Sequence, residues 1–393
     1  VLSLTDPSGK ITGNYSAGTL TLNDSVNGGS GNVSLISSGN QVYAAAGDIS
    51  TTGGSIDVQA TGVSSTLSMN ADTVFQTYGG NIRLNTGGTI TVGLIDARVN
   101  SDRGATISTS DDLLTKQSDV STPWGSVSIS SSGGSILDNT SDTAVNVYAN
   151  ELKIFSNPAG AGALGASAER IETEVAKLSV NVGSGGLYLI DSTAVTLSQT
   201  AAIKVKRVLA NGTVINADTS ASEQTDIAQD DVISGGVLVL TTAAGSITTV
   251  SGTGNVQAAG NILLNAIGAT SDITLGGNLT NTVGNTSVLA GRSVFQNGNI
   301  SATGTAMTVD LQATAGVVTL SDGTTLSTDG GNVRISAVGD ITLGSIDARL
   351  LADRNSSSLS FQSDVSTPWG SVSLISSSGS ILDNGSEDRK SVV

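Results

Sequence analysis

Short apolar-polar alternations follow glycine again and again along this chain: GGSIDVQ from Gly53, GGNIRLN from Gly79, GGTITVG from Gly87, GSVSIS from Gly125, GGLYLID from Gly185, GSITTV from Gly245, GNILLN from Gly260 and GDITLG from Gly339. A period of two over four to six residues places the apolar side chains on one side, the pattern of a strand with one buried face. Neighbouring alternations begin 8 or 9 residues apart, and comparable ones return after roughly 23 to 26 residues. This predicts two or three short strands per coil of an all-β parallel solenoid, with Gly or Asn at the corners where positive φ is required. At about 4.8 Å per stacked strand, about 16 coils would form a rod on the order of 75 Å long. One stretch has helical features, ASAERIETEVAK from Ala166 to Lys177. Its Ile171, Thr173 and Val175 also alternate with charged and small residues, and LSVNV carries the alternation to Val182, so it is read as a strand.

A second, longer period is superimposed. QSDVSTPWGSVSI at Gln117 to Ile129 returns as QSDVSTPWGSVSL at Gln362 to Leu374, followed in both copies by SILDN and preceded in both by IDAR. GGNIRL at Gly79 matches GGNVRI at Gly330, and VLSLT at Val1 matches VLVLT at Val237. The chain thus divides into a first long repeat, residues 1–236, and a second, incomplete one, residues 237–393, continuing the same solenoid. The offset drifts along the repeat, so corners absorb insertions of several residues, which suits stacked coils better than a closed globule. A string of β-sandwich domains would show shorter units and a more aromatic core.

Composition narrows the picture. Hydrophobic residues make up 38%, too many for a disordered Gly/Ser linker, while aromatics at 3% require a thin core. The net charge of −16 argues against nucleic acid and anionic membranes as partners. No run approaches the 18 apolar residues of a membrane span, so no membrane insertion is expected. The chain begins at Val1 without a signal-peptide pattern and is read as a piece of something longer.

In the recurring G-[ND]-I-x-L strands, the paired GDITLGSIDAR and WGSVSL segments, and the stretch from YANELKIFS to SGGLYLID between Tyr148 and Asp191, the sequence resembles the filamentous haemagglutinin-like exoproteins, the giant repetitive adhesins of Gram-negative bacteria. The resemblance runs over essentially the whole chain. It implies a right-handed parallel β-helix, export as a very large polypeptide to the cell surface or extracellular matrix, and a part in attachment, aggregation, filament formation or biofilm.

Chemistry is scarce. Without His or Cys there are no thiolate or imidazole nucleophiles, bases or metal ligands, and no enzyme, cofactor or metal is expected. The alternative is a polysaccharide-processing β-helix enzyme, a glycosidase or lyase using Asp and Glu. It needs two carboxyls about 5 to 9.5 Å apart with aromatic platforms, whereas the adjacent pairs Asp111–Asp112 and Asp230–Asp231 would point to opposite faces of a strand. Asp96 with Arg98, repeated as Asp347 with Arg349, lie two apart and share a face. They form either a polar shelf for glycans or, the preferred reading, ion pairs fixing a corner. Trp124 and Trp369 sit in STPWGS turns and either stack on sugar rings or, preferentially, cap the core edge. Asn81, Asn261, Asn332 and Asp340 at Gly-Asn and Gly-Asp corners are read as stacked ladders and not as calcium ligands, since calcium needs six or more converging oxygens. The expected partners are neighbouring repeats or other copies stacked end to end, and cell-surface or matrix glycans.

Overall fold

The computed structural model describes residues 11–15, 18–103, 123–139, 144–208, 224–354 and 368–384. They form a parallel β-solenoid of about 12 turns. The chain folds as two compact units, one of residues 1–192 with 199–230, the other of 193–198 with 231–393.

Each regular coil contains three strands. In the first unit Val33–Ser37, Gln41–Tyr43 and Ile49–Ser50 make one coil, and Ile56–Ala60, Leu67–Met69 and Val74–Gln76 make the next. Val33 pairs in parallel register with Ile56, and Ile56 with Ile82, so the inward alternation becomes a column of stacked aliphatic side chains. These residues are fully buried. The second unit repeats the construction, with Leu238, Ile262, Thr286, Val309 and Val333 in register. Coils this tight need bare corners: a Cβ on Gly331 would fall 1.7 Å from the Met307 carbonyl oxygen of the coil beneath.

The Asn ladders expected at the corners are present. In the second unit Asp231 Oδ1 accepts the Asn255 N–H at 2.8 Å, Asn255 that of Asn278 at 3.0 Å, Asn278 that of Asn299 at 3.0 Å, and Asn299 that of Thr325 at 2.9 Å. Asn81, Asn261, Asn332 and Asp340 make the same upward bond to Ser126, Asn285, Ser371 and Ser380. Each side chain satisfies a backbone donor that the ladder of a neighbouring strand cannot reach. The stretch read as strand over helix is strand Ile171–Val182, paired with Val147–Ser156.

Fewer turns form than expected because chain is spent outside the coils. Residues 199–208 and 224–230 leave the first unit's stack as an antiparallel excursion, with Ile203–Val205 pairing Gln224–Asp226 and Thr200 exchanging backbone bonds with Gln229 at 2.8 and 3.2 Å. This excursion runs back across the outer face of earlier coils. Val208 N–H donates to Ser34 Oγ at 3.1 Å, Lys206 N–H to Ser55 Oγ at 2.8 Å, and Asn81 Nδ2 to the Lys204 carbonyl at 2.9 Å. Two excursion residues advance for each coil crossed. Strand Ile56–Ala60, which alternation predicts to be buried on one face, is consequently buried at all five positions.

Candidate functional site

The two IDAR segments fold alike. Asp96 ends strand Leu94–Asp96, and Arg98 two residues on turns back onto it. Arg98 Nε and Nη2 donate to Asp96 Oδ1 and Oδ2 at 3.0 and 2.8 Å, and its backbone N–H donates to Oδ1 at 2.9 Å. The chain then makes a single 3-10 turn, Asn100–Asp102. Arg103 Nη2 donates to the carbonyls of Thr77, Asp96 and Arg98, while Nη1 reaches Gln76 Oε1 at 3.0 Å. Twenty-two residues after Asp102, Trp124 returns to it, donating from Nε1 to Asp102 Oδ2 at 2.6 Å. Asp102 and Trp124 thus tie together the two ends of the segment 104–122.

This clamp closes over the next coil. Tyr148 lies in edge contact with Trp124, centroids 6.5 Å apart, and the Arg98 guanidinium carbon sits 3.6 Å from the Tyr148 ring centroid. Burial pushes the Tyr148 phenol up to about 12. Asp96, Arg98 and Trp124 are 3%, 9% and 3% exposed, so none of them presents an open surface to a sugar ring. The same-face Asp-Arg pairing expected from their spacing forms, but in the first repeat it is buried and not superficial, because Tyr148 and Trp124 cover it.

The second repeat rebuilds the clamp from Asp347, Arg349, Asp353, Arg354 and Trp369. Arg349 Nε and Nη2 hold Asp347 at 2.9 and 2.8 Å, Arg354 reaches the carbonyls of Thr328, Asp347 and Arg349, and Trp369 Nε1 donates to Asp353 Oδ2 at 2.6 Å. Here the Asp347 and Arg349 side chains are 14% and 28% exposed. Among the described residues strand Ser345–Asp347 pairs with Thr325–Asp329 of the preceding coil, whereas Leu94–Asp96 is paired both by Val74–Gln76 and by Val147–Ser156 of the following coil. Burial alone would raise the Asp347 carboxyl, but the side-chain and backbone donors of Arg349, with the charge of Arg354, outweigh it and hold the group below the usual carboxylate range.

A second polar arrangement went unread in the sequence. Ser34, Asp57, Arg83, Ser128, Lys153 and Ser179 form one row across adjacent strands on the outer face. All are buried beneath the 199–230 excursion. Arg83 bridges Asp57 at 3.1 Å and Asp226 of the excursion at 2.9 Å, Ser128 donates to the other Asp226 oxygen, and Lys153 Nζ donates to the Ile227 carbonyl at 2.8 Å. Burial raises the Asp57 carboxyl above its ordinary value, against the opposing pull of Arg83. The available signal was Asp57 and Arg83 recurring as Asp310 and Arg334, charged residues at outward positions of adjacent strands.

Asp111 and Asp112, one of the adjacent carboxylate pairs, lie outside the described residues. Of the other, Asp231 is committed to Asn255, holding its side-chain amide as well as its backbone N–H. Among the described residues no three carboxylates converge as metal ligands, and no helix is long and apolar enough to cross a membrane. Comparison with family models, with curated proteins and with solved structures finds no match.

Proposed function

We propose that this chain is a structural and adhesive segment of a large exported surface protein, in which stacked coils supply spacing and the segments held by the two clamps supply recognition. The single observation that carries this reading is the duplication of the clamp: two repeats fasten the ends of an insertion, 104–122 and 355–367, at the same corner by the same Asp-Arg-Trp construction. A clamp rebuilt so closely at the flanks of both segments supports a shared role for them, and two recognition segments on one chain would gain avidity by raising the effective concentration of the second contact. The ligand class best suited to this role is a cell-surface or matrix glycan, and the location an extracellular one.

The test is binding of the chain to glycan arrays and to cells, with residues 104–122, 355–367 or both replaced by Gly/Ser segments of equal length. Loss of one insertion should weaken binding by more than tenfold through lost avidity, and loss of both should abolish it. Binding that survives the double replacement refutes the assignment. The polysaccharide-enzyme alternative makes a different prediction in the same experiment, release of new reducing ends or unsaturated products from the bound polysaccharide.

A further inference from the structure

In the first unit the outer row of strands is covered by the 199–230 excursion; in the second unit the same row is bare among the described residues. Four of its six sockets are nevertheless present. Ser287 stands where Ser34 stands, Asp310 where Asp57, Arg334 where Arg83, and Ser373 where Ser128, in the same register. Arg334 Nη1 holds Asp310 Oδ1 at 2.9 Å, as Arg83 holds Asp57. Thr308 bonds Asn285 Oδ1 through its hydroxyl at 3.0 Å, as Ser55 bonds Asn32, and Asn332 accepts from Ser371 as Asn81 accepts from Ser126. What differs is exposure. The Arg83 and Asp57 side chains are 6% and 0% exposed, those of Arg334 and Asp310 45% and 34%.

Beside Ser287 the face continues as a hollow of about 290 Å³ lined by Val237, Val239, Asn261, Leu263, Asn285 and Ser287, part apolar and part polar.

We infer that the outer face of the second unit, from Ser287 to Ser373, is a docking site for an antiparallel strand pair built like Ile203–Val205 with Gln224–Asp226. The occupant is defined by the sockets. It offers a carbonyl to Asn332, backbone N–H groups two and four residues further along to Thr308 and Ser287, and, from its returning strand, a carboxylate to Arg334 and Ser373. Among the described residues Arg334 reaches Asp310 through Nη1 alone, and its Nε is the donor that a second carboxylate would take, as Asp226 takes the Arg83 Nε at 2.9 Å. This inference is independent of the adhesive reading, since it concerns how repeats of this kind cover one another.

The experiment uses the full chain and a fluorescent, backbone-cyclised peptide of residues 199–230, whose ends lie together because Thr200 pairs with Gln229. The expected result is saturable one-to-one binding. Arg334→Glu, at a site exposed enough to leave the fold intact, should weaken it at least about 30-fold. Peptide Asp226→Lys should fail on the natural chain and recover on Arg334→Glu. Absence of saturable binding, or equal affinity for the natural and Arg334→Glu chains, overturns the inference.

Discussion

Gln296 is a buried amide set between two leucines of its column, and replacing it should stabilise the protein. It closes strand Val294–Gln296, is fully buried, and pairs in register with Leu275 below and Leu320 above. Among the described residues neither its Oε1 nor its Nε2 has a hydrogen-bond partner. Gln41 shows the contrast: equally buried, it donates to the Gln59 carbonyl at 2.8 Å and accepts from the Tyr43 hydroxyl at 2.5 Å. An amide buried without partners costs about 1–3 kcal/mol on mutational scales. Gln296→Leu removes that term and the larger rotamer entropy of Gln, about 1 kcal/mol. It gives back about 0.5 kcal/mol for the one heavy atom lost, on the cavity scale of about 24 cal/mol per Å³. The net gain is about 2 kcal/mol, which raises the midpoint of a transition of 150–250 residues by about 4–8 °C. Differential scanning calorimetry of the full chain reads this directly, with Gln296→Ala as the control that removes the amide but leaves a cavity. A midpoint for Gln296→Leu that is unchanged or lower refutes the reasoning, because the amide must then be satisfied.

The two clamps should respond unequally to the same change: Asp96→Ala strands a buried Arg98 and should cost about 3–5 kcal/mol, while Asp347→Ala, at the more exposed pair, should cost about 1 kcal/mol, both measured by urea unfolding. Asn278→Ala leaves the Asn299 N–H without its acceptor at a partly solvated corner and should cost about 1 kcal/mol, read as faster hydrogen exchange at Asn299. Because the folded Asp347 carboxyl titrates below its unfolded value, its contribution is fully present above the ordinary carboxylate range and is lost as pH falls through the folded value. Acid should therefore loosen the second clamp, seen as a fall in stability to urea at low pH that is smaller in Asp347→Asn.

Much of this molecule was legible one coil at a time. The return of Gly-led alternations after 23 to 26 residues fixed the parallel stack, because a coil with one apolar face has nowhere to bury it except against its neighbours. The alternation of Ile171, Thr173 and Val175 identified a strand where charge content hinted at a helix, and the two-residue spacing of Asp96 and Arg98 placed them on one face.

Tertiary structure alone decided the rest. Ile203, Lys204 and Val205 alternate like any coil strand, so their pattern carries no sign that they leave the stack. What turns them back are groups scattered from Ser34 to Lys153, which share a face only after the coils have stacked. Whether Asp96 and Arg98 are buried or superficial likewise depends on Tyr148 arriving in the following coil. Local pattern determines which side of a strand faces the core; what covers the other side is set by chain that returns from far away, and periodicity holds no record of it.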